Sequence, residues 1–143
     1  SLFLPRPELG AHARRPSQAW LFYDGDDSDL RYEDQLYLDI CGGGYICMTP
    51  EHHEERLRQL AKETRRPVLA INYCKAPEHP YPFALEECYD VYRSLHESKG
   101  KIVGMSGSPS FSILLSGDSA GGNLACGTLL KILEYPQVRL SVA

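Results

Sequence analysis

The chain has 143 residues, 43% of them hydrophobic and 24% charged, and carries a net charge of -4. Those values fit one compact globular domain. They exclude a basic nucleic-acid-binding surface, and no apolar run is long enough for a membrane-spanning helix.

Residues 1–19 contain Pro5, Pro7 and Pro16 together with Arg6, Arg14 and Arg15 and show little periodicity. They are expected to form an extended N-terminal arm, with residues 20–143 forming the domain itself. Trp20-Leu21-Phe22-Tyr23 predicts a short edge strand. Asp24 to Asp29 predicts a solvated acidic turn, because the glycine and terminal glutamate of a calcium loop are out of register. Leu36 to Ile40 predicts a strand that runs straight into Cys41-Gly42-Gly43-Gly44-Tyr45. Three consecutive glycines leave bare backbone N–H groups open to close approach; the alternative is a plain flexible turn. A phosphate cradle is not matched, since Cys47 stands where the third glycine of G-x-G-x-x-G belongs.

Thr49-Pro50 predicts a helix start, with Thr as N-cap and Pro at the first position. Leu57, Leu60 and Ala61 give that helix an apolar stripe, and Pro67 ends it. His52 and His53 fall in its first turn and miss the H-E-x-x-H metal pattern, so a solvated face is expected. Val68 to Ile71 is a continuous apolar run, the pattern of a strand covered on both faces. A proline-rich irregular segment (Asn72–Pro82) leads to a helix over Phe83–Lys99, stopped by Gly100. A polar loop from Gly104 to Ser110 precedes the last strand, from Ser112. The final helix, from Ala120 to Glu134, is apolar on most sides, which predicts burial between the sheet and other structure. Strands alternating with helices predict an α/β fold with a mostly parallel sheet and helices on both faces. Sites in such sheets form at the carboxyl ends of the strands, where Gly42–Gly44 and Ser119 both fall.

Five cysteines occur at scattered spacings (Cys41, Cys47, Cys74, Cys88, Cys126), with no C-x-x-C pair. Reduced thiols and a cytoplasmic setting are the expectation, with Cys88 and Cys126 as small core residues. The chain opens at Ser1 and closes on Arg139–Ala143, which reads as the start of another strand. It is therefore expected to be the N-terminal part of a longer protein, cut after the helix that follows Ser119. The sequence does not fix the oligomeric state.

The stretch Gly117-Asp118-Ser119-Ala120-Gly121 follows a strand and opens a helix. That is the layout of a nucleophile elbow, in which a serine hydroxyl is pushed out above the sheet on a tight turn. G-x-S-x-G alone arises by chance in about one chain of this length in twenty; the strand and helix around it give it weight. An exposed serine with nearby backbone donors suits attack on an ester carbonyl. Ser119 is the candidate nucleophile, and the N–H groups of Gly43, Gly44 and Ala120 are the candidate oxyanion hole. The Ala120 N–H lies at a helix N-terminus, whose dipole favours negative charge. Asp118 is expected to brace the turn.

Three stretches resemble one family. Ile40-Cys41-Gly42-Gly43-Gly44-Tyr45 resembles its H-G-G-G loop. Tyr73-Cys74-Lys75-Ala76-Pro77-Glu78-His79-Pro80-Tyr81-Pro82 resembles its Y-R-L-A-P-E-H-P-F-P segment. Gly117 to Ala125 matches its G-D-S-A-G-G-N-L-A elbow. The family is the hormone-sensitive-lipase-like branch of carboxylesterases and lipases, with the α/β-hydrolase fold. The resemblance implies hydrolysis of small apolar carboxylic esters through an acyl-enzyme, with Ser119 as nucleophile and no cofactor or metal. Cys41 stands where the family has a loop-bracing His, and Cys74 where it has an Arg. In this fold the triad runs Ser, then Asp or Glu, then His. Residues 120–143 contain Glu134 but neither Asp nor His, and His12, His52, His53, His79 and His96 all precede Ser119. The triad is incomplete in this segment, which alone is expected to be inactive. The alternative is a non-catalytic small-molecule-binding protein of the same fold. A third is a product without a stable fold, whose sheet lacks its later strands. Tyr45, Tyr73, Tyr81 and Phe83 are candidates for a pocket wall, with core packing the expectation for most of them.

Overall fold

A computed structural model describes residues 1–6 and 15–134. The expected strand at residues 139–143, and His12, lie outside the described residues. Five strands form one sheet: β1 (Leu2–Leu4), β2 (Ser17–Phe22), β3 (Gln35–Ile40), β4 (Val68–Ile71) and β5 (Ser112–Gly117). Three α-helices accompany them: α1 (Glu54–Thr64), α2 (Phe83–Ser98) and α3 (Ala120–Glu134).

The strand order is β1-β2-β4-β3-β5. The sheet is mixed. β4, β3 and β5 run parallel, as strand–helix–strand crossovers require, while β1 and β2 join antiparallel. Trp20 and its neighbours, expected at an edge, lie instead in an inner strand, because Leu2–Leu4 pairs outside them. β2 begins at Ser17, so the expected division between residues 19 and 20 falls inside it. The acidic stretch is a turn followed by a 3-10 helix (Asp27–Tyr32), pinned by buried Leu30.

Period-two alternation sorts the strands onto two faces. Leu36, Leu38, Ile40, Leu69 and Ile71 face a core shared with Cys88, Val91 and Leu95 of α2 and Leu124 and Ile132 of α3. Val68, Ala70 and Phe22 face the other way, onto Leu57 and Ala61 of α1. All four residues of β4 are fully buried, as its unbroken apolar run predicts. The helix expected from Thr49 opens as a 3-10 turn (Pro50–His53) and becomes α1 at Glu54. Arg65 and Lys99, both left-handed, close α1 and α2.

Two expectations about burial do not hold. Leu129, Leu130 and Leu133 of α3 are exposed, so that side of the helix is not enclosed between the sheet and other structure among the described residues. Cys126 is exposed as well, since it lies on the helix side turned away from the core, whereas Cys88 is buried.

Candidate active site

The site follows from strand register. β3 and β5 are adjacent and parallel, with Ile40 opposite Gly117. Two residues beyond that pair stand Gly42 on one side and Ser119 on the other. Two motifs 77 positions apart therefore leave the sheet side by side at its carboxyl edge.

Ser119 is exposed and has φ 52°, a left-handed conformation that costs a non-glycine residue free energy and persists only where its surroundings impose it. The imposing contacts are short. A Cβ at Gly121 would overlap the Ile40 carbonyl, so α3 starts directly against the end of β3. Asp118 braces the turn as expected: its Oδ1 accepts the Gly42 N–H at 3.0 Å. The Gly121 N–H donates to the Asp118 carbonyl at 2.8 Å, and the Asn123 N–H to the Ser119 carbonyl at 3.2 Å. Ala120 is the first residue of α3, where N–H groups lack helical partners and the dipole is positive.

The glycine loop is folded on itself. Gly43 (φ 143°) and Gly44 (φ 61°) lie where side chains are strained. The Gly43 carbonyl accepts from the N–H groups of Ile46 and Cys47 and from the Cys47 thiol. Tyr45, at φ 67°, joins all three motifs. Its carbonyl accepts the Ala76 N–H at 2.9 Å, and its hydroxyl donates to Asn123 Oδ1 at 2.8 Å. Tyr73 is buried and donates its hydroxyl to the Cys41 carbonyl at 2.9 Å. Burial pushes its pKa up to about 12, so it stays a neutral donor. The Lys75 ammonium sits over the Tyr73 ring and donates to the Tyr73 carbonyl and Asn72 Oδ1; burial lowers its pKa.

Beside the elbow opens an apolar groove of about 400 Å³, walled by Tyr45, Ile46, Pro80, Tyr81, Leu85 and Leu124 among others. Two of the four candidate pocket aromatics, Tyr45 and Tyr81, line it. Tyr73 belongs to the core, and the Phe83 ring packs on His79 at 4.4 Å.

The histidines divide by role. His52 closes a capping box with Thr49, its Nδ1 3.1 Å from the Thr49 nitrogen, and His53 reaches the Gly42 carbonyl through Nε2 at 3.3 Å. His52 is exposed, on the solvated face expected, whereas His53 is half-buried against the glycine loop. His79 belongs to the proline-rich segment, its N–H held by the Lys75 carbonyl. His96 packs on Tyr92 at the end of α2, and burial lowers its pKa, so it favours the neutral form there. Among the described residues no group of His, Cys, Asp and Glu is placed to hold a metal.

Sequence reasoning missed three carboxylate or guanidinium anchors. Glu87, 2% exposed, accepts the Ser17 hydroxyl and the Cys74 N–H, each at 2.8 Å. It thereby fixes the backbone where Cys74 departs from the family Arg. Asp39, fully buried at the end of β3, pairs with Arg56 of α1. The available signal was a lone acid in an otherwise apolar strand.

Residues 37–142 match the sequence family described as the alpha/beta hydrolase fold. This chain belongs to that family. Within it the chain is similar to hormone-sensitive lipases, being 41% identical over 100 residues to the bovine protein; the match covers 70% of this chain and 13% of the relative. It is 34% identical over 104 residues to an esterase of Acinetobacter venetianus, covering 73% of this chain and 32% of the relative. Among solved structures, a hyperthermophilic esterase from Pyrobaculum calidifontis superimposes with a TM-score of 0.73 at 30% identity, covering 85% of this chain and 37% of the other. The α/β-hydrolase fold is thus shown, and the family relatives are named lipases and esterases. The chain spans less than half the length of each of these relatives.

Proposed function

We propose that this α/β-hydrolase chain carries the nucleophile and oxyanion hole of a serine carboxylesterase. The supporting observation is the parallel register of β3 and β5, tightened by the Asp118–Gly42 bond, which sets the glycine loop beside the Ser119 turn. In this reading Ser119 Oγ attacks the ester carbonyl while a base takes its proton. The N–H groups of Ala120, Gly43 and Gly44 receive the developing oxyanion. The alcohol leaves with a proton returned by the base, and water then releases the acid from the acyl-serine. The apolar groove beside the elbow takes an apolar portion of the ester.

In the order Ser, then Asp or Glu, then His, the base follows Ser119, and residues 120–143 hold no histidine, so this reading requires a base that these residues do not supply. The test is hydrolysis of a p-nitrophenyl short-chain ester by the longest product of the reading frame that contains this chain. Turnover is expected, and Ser119→Ala abolishes it; activity that survives the substitution overturns the assignment. The 143-residue chain alone is expected to show background hydrolysis only. Turnover there that is blocked by a serine-reactive phosphonate would overturn the missing-base argument. A longest product that binds apolar esters without turning them over would favour the non-catalytic binding reading instead.

A further inference from the structure

Asp39 poses a problem that its surroundings solve. A carboxylate with no exposure costs several kcal/mol, on the order set by ion desolvation, unless it is paired and hydrogen-bonded. Arg56 supplies a two-pronged bond, Nη1 to Oδ1 at 3.1 Å and Nη2 to Oδ2 at 2.8 Å. Ser116, the register partner of Asp39 on β5, donates its hydroxyl to Oδ1 at 2.7 Å. The Cys41 thiol completes the set at 3.6 Å. The guanidinium is therefore fixed in place from below.

The same Nη2 also reaches Asp118 Oδ1 at 3.4 Å. That oxygen is the one that accepts the Gly42 N–H. A continuous path thus runs from the buried end of β3, through a guanidinium of α1, to the elbow carboxylate and on to the glycine loop. Both partners of the Arg56–Asp118 contact are nearly half exposed, so as an ion pair it adds little to stability. Its effect is on direction: it holds the Asp118 carboxylate at the angle that receives Gly42. The stretch expected to carry a loop-bracing His carries Cys41 here, whose thiol is turned into the Asp39 cluster. Direct contacts to Gly42 come from Asp118 and from His53, and Arg56 acts on the first of them.

We propose that Arg56 is the positioning residue that holds the glycine loop against the Ser119 turn. The effect on catalysis rests on the carboxylesterase reading; the effect on the loop does not. Arg56→Met alone leaves Asp39 buried and unpaired and is prone to unfolding. The informative variants are Arg56→Lys, which keeps a charge for Asp39 but loses the fork, and the double variant Asp39→Asn with Arg56→Met, which removes both charges. In the longest product of the reading frame, amide hydrogen exchange over residues 42–48 is expected to quicken about tenfold in both variants, while β4 and α2 keep their protection. Unchanged exchange over the loop in both variants overturns the proposal. Where the wild type turns over a p-nitrophenyl ester in a Ser119-dependent way, kcat is expected to fall about tenfold with KM within about twofold, since a misplaced oxyanion donor acts on the transition state. Exchange that quickens while kcat stays at the wild-type value overturns the catalytic half. Absence of Ser119-dependent turnover in the wild type counts against the carboxylesterase reading alone, and the exchange result then decides the role of Arg56.

Discussion

At the scale of single residues the site rests on close approaches that admit no side chain. Gly121 is the sharpest case. It sits in the first turn of α3 with its Cα against the Ile40 carbonyl, and a Cβ there has no free volume. Backbone on one side and a helix start on the other leave no flexible group to yield. Gly121→Ala is therefore expected to destabilise the chain by more than about 2 kcal/mol, despite the better helix propensity of Ala. A urea midpoint at or above that of the wild type would contradict this. Ser119, with its positive φ, is held by these same contacts. The motif spelling made Gly121 and Ser119 legible in the sequence. Asp39 was not legible in the same way. In β3 it alternates with Leu36, Leu38 and Ile40, and a polar residue on the opposite face reads as solvent-facing. Only the packing of α1 over that face turns it into a buried anchor.

At the scale of elements, α3 divides into two halves. Its first half is fixed by Gly121 and by Leu124, which faces the core and the groove. In its second half Ile132 is buried, whereas Leu129, Leu130 and Leu133 are exposed. The apolar composition of the helix showed what it is able to bury, but composition carries no information on which neighbours are there to cover it. The contrast is measurable. Leu95 of α2 is fully buried, and Leu95→Ala is expected to cost about 2–5 kcal/mol through lost transfer energy and a residual cavity. Leu130, 62% exposed, loses little by the same change, and Leu130→Ala is expected to stay within about 0.5 kcal/mol of the wild type. Chemical denaturation of the two variants side by side checks both; similar losses would mean that Leu130 is covered in solution.

At the scale of the whole molecule, the parallel half of the sheet was legible because helices and strands alternate at crossover spacing. The antiparallel half was not, since Leu2–Leu4 is too short to show a period and gains its place only from pairing with β2. The folded molecule also gathers weak acids into its interior. Burial pushes Cys41, Tyr73 and Tyr92 each up to about 12, and raises Cys88 as well. Tyr23 rises to about 12 through burial and its bond to Glu33. In the unfolded chain these thiols and phenols ionise near about 8.5 and 10. Below about pH 8.5 both states are protonated and the stabilisation is fully present. Above it the unfolded chain loses protons that the folded chain keeps, so stability falls as pH rises towards the folded values near 12. Burial raises Cys74 as well, so Lys75, lowered by burial, acts in the opposite sense but is one group against six. The urea midpoint is therefore expected to be flat from about pH 7 to 8.5 and to decline steadily above it. Tyr92→Phe removes one ionising group from the balance and should flatten the decline above about pH 10. A midpoint that holds level through about pH 10.5 in the wild type would show that these groups ionise in the folded chain as readily as in the unfolded one.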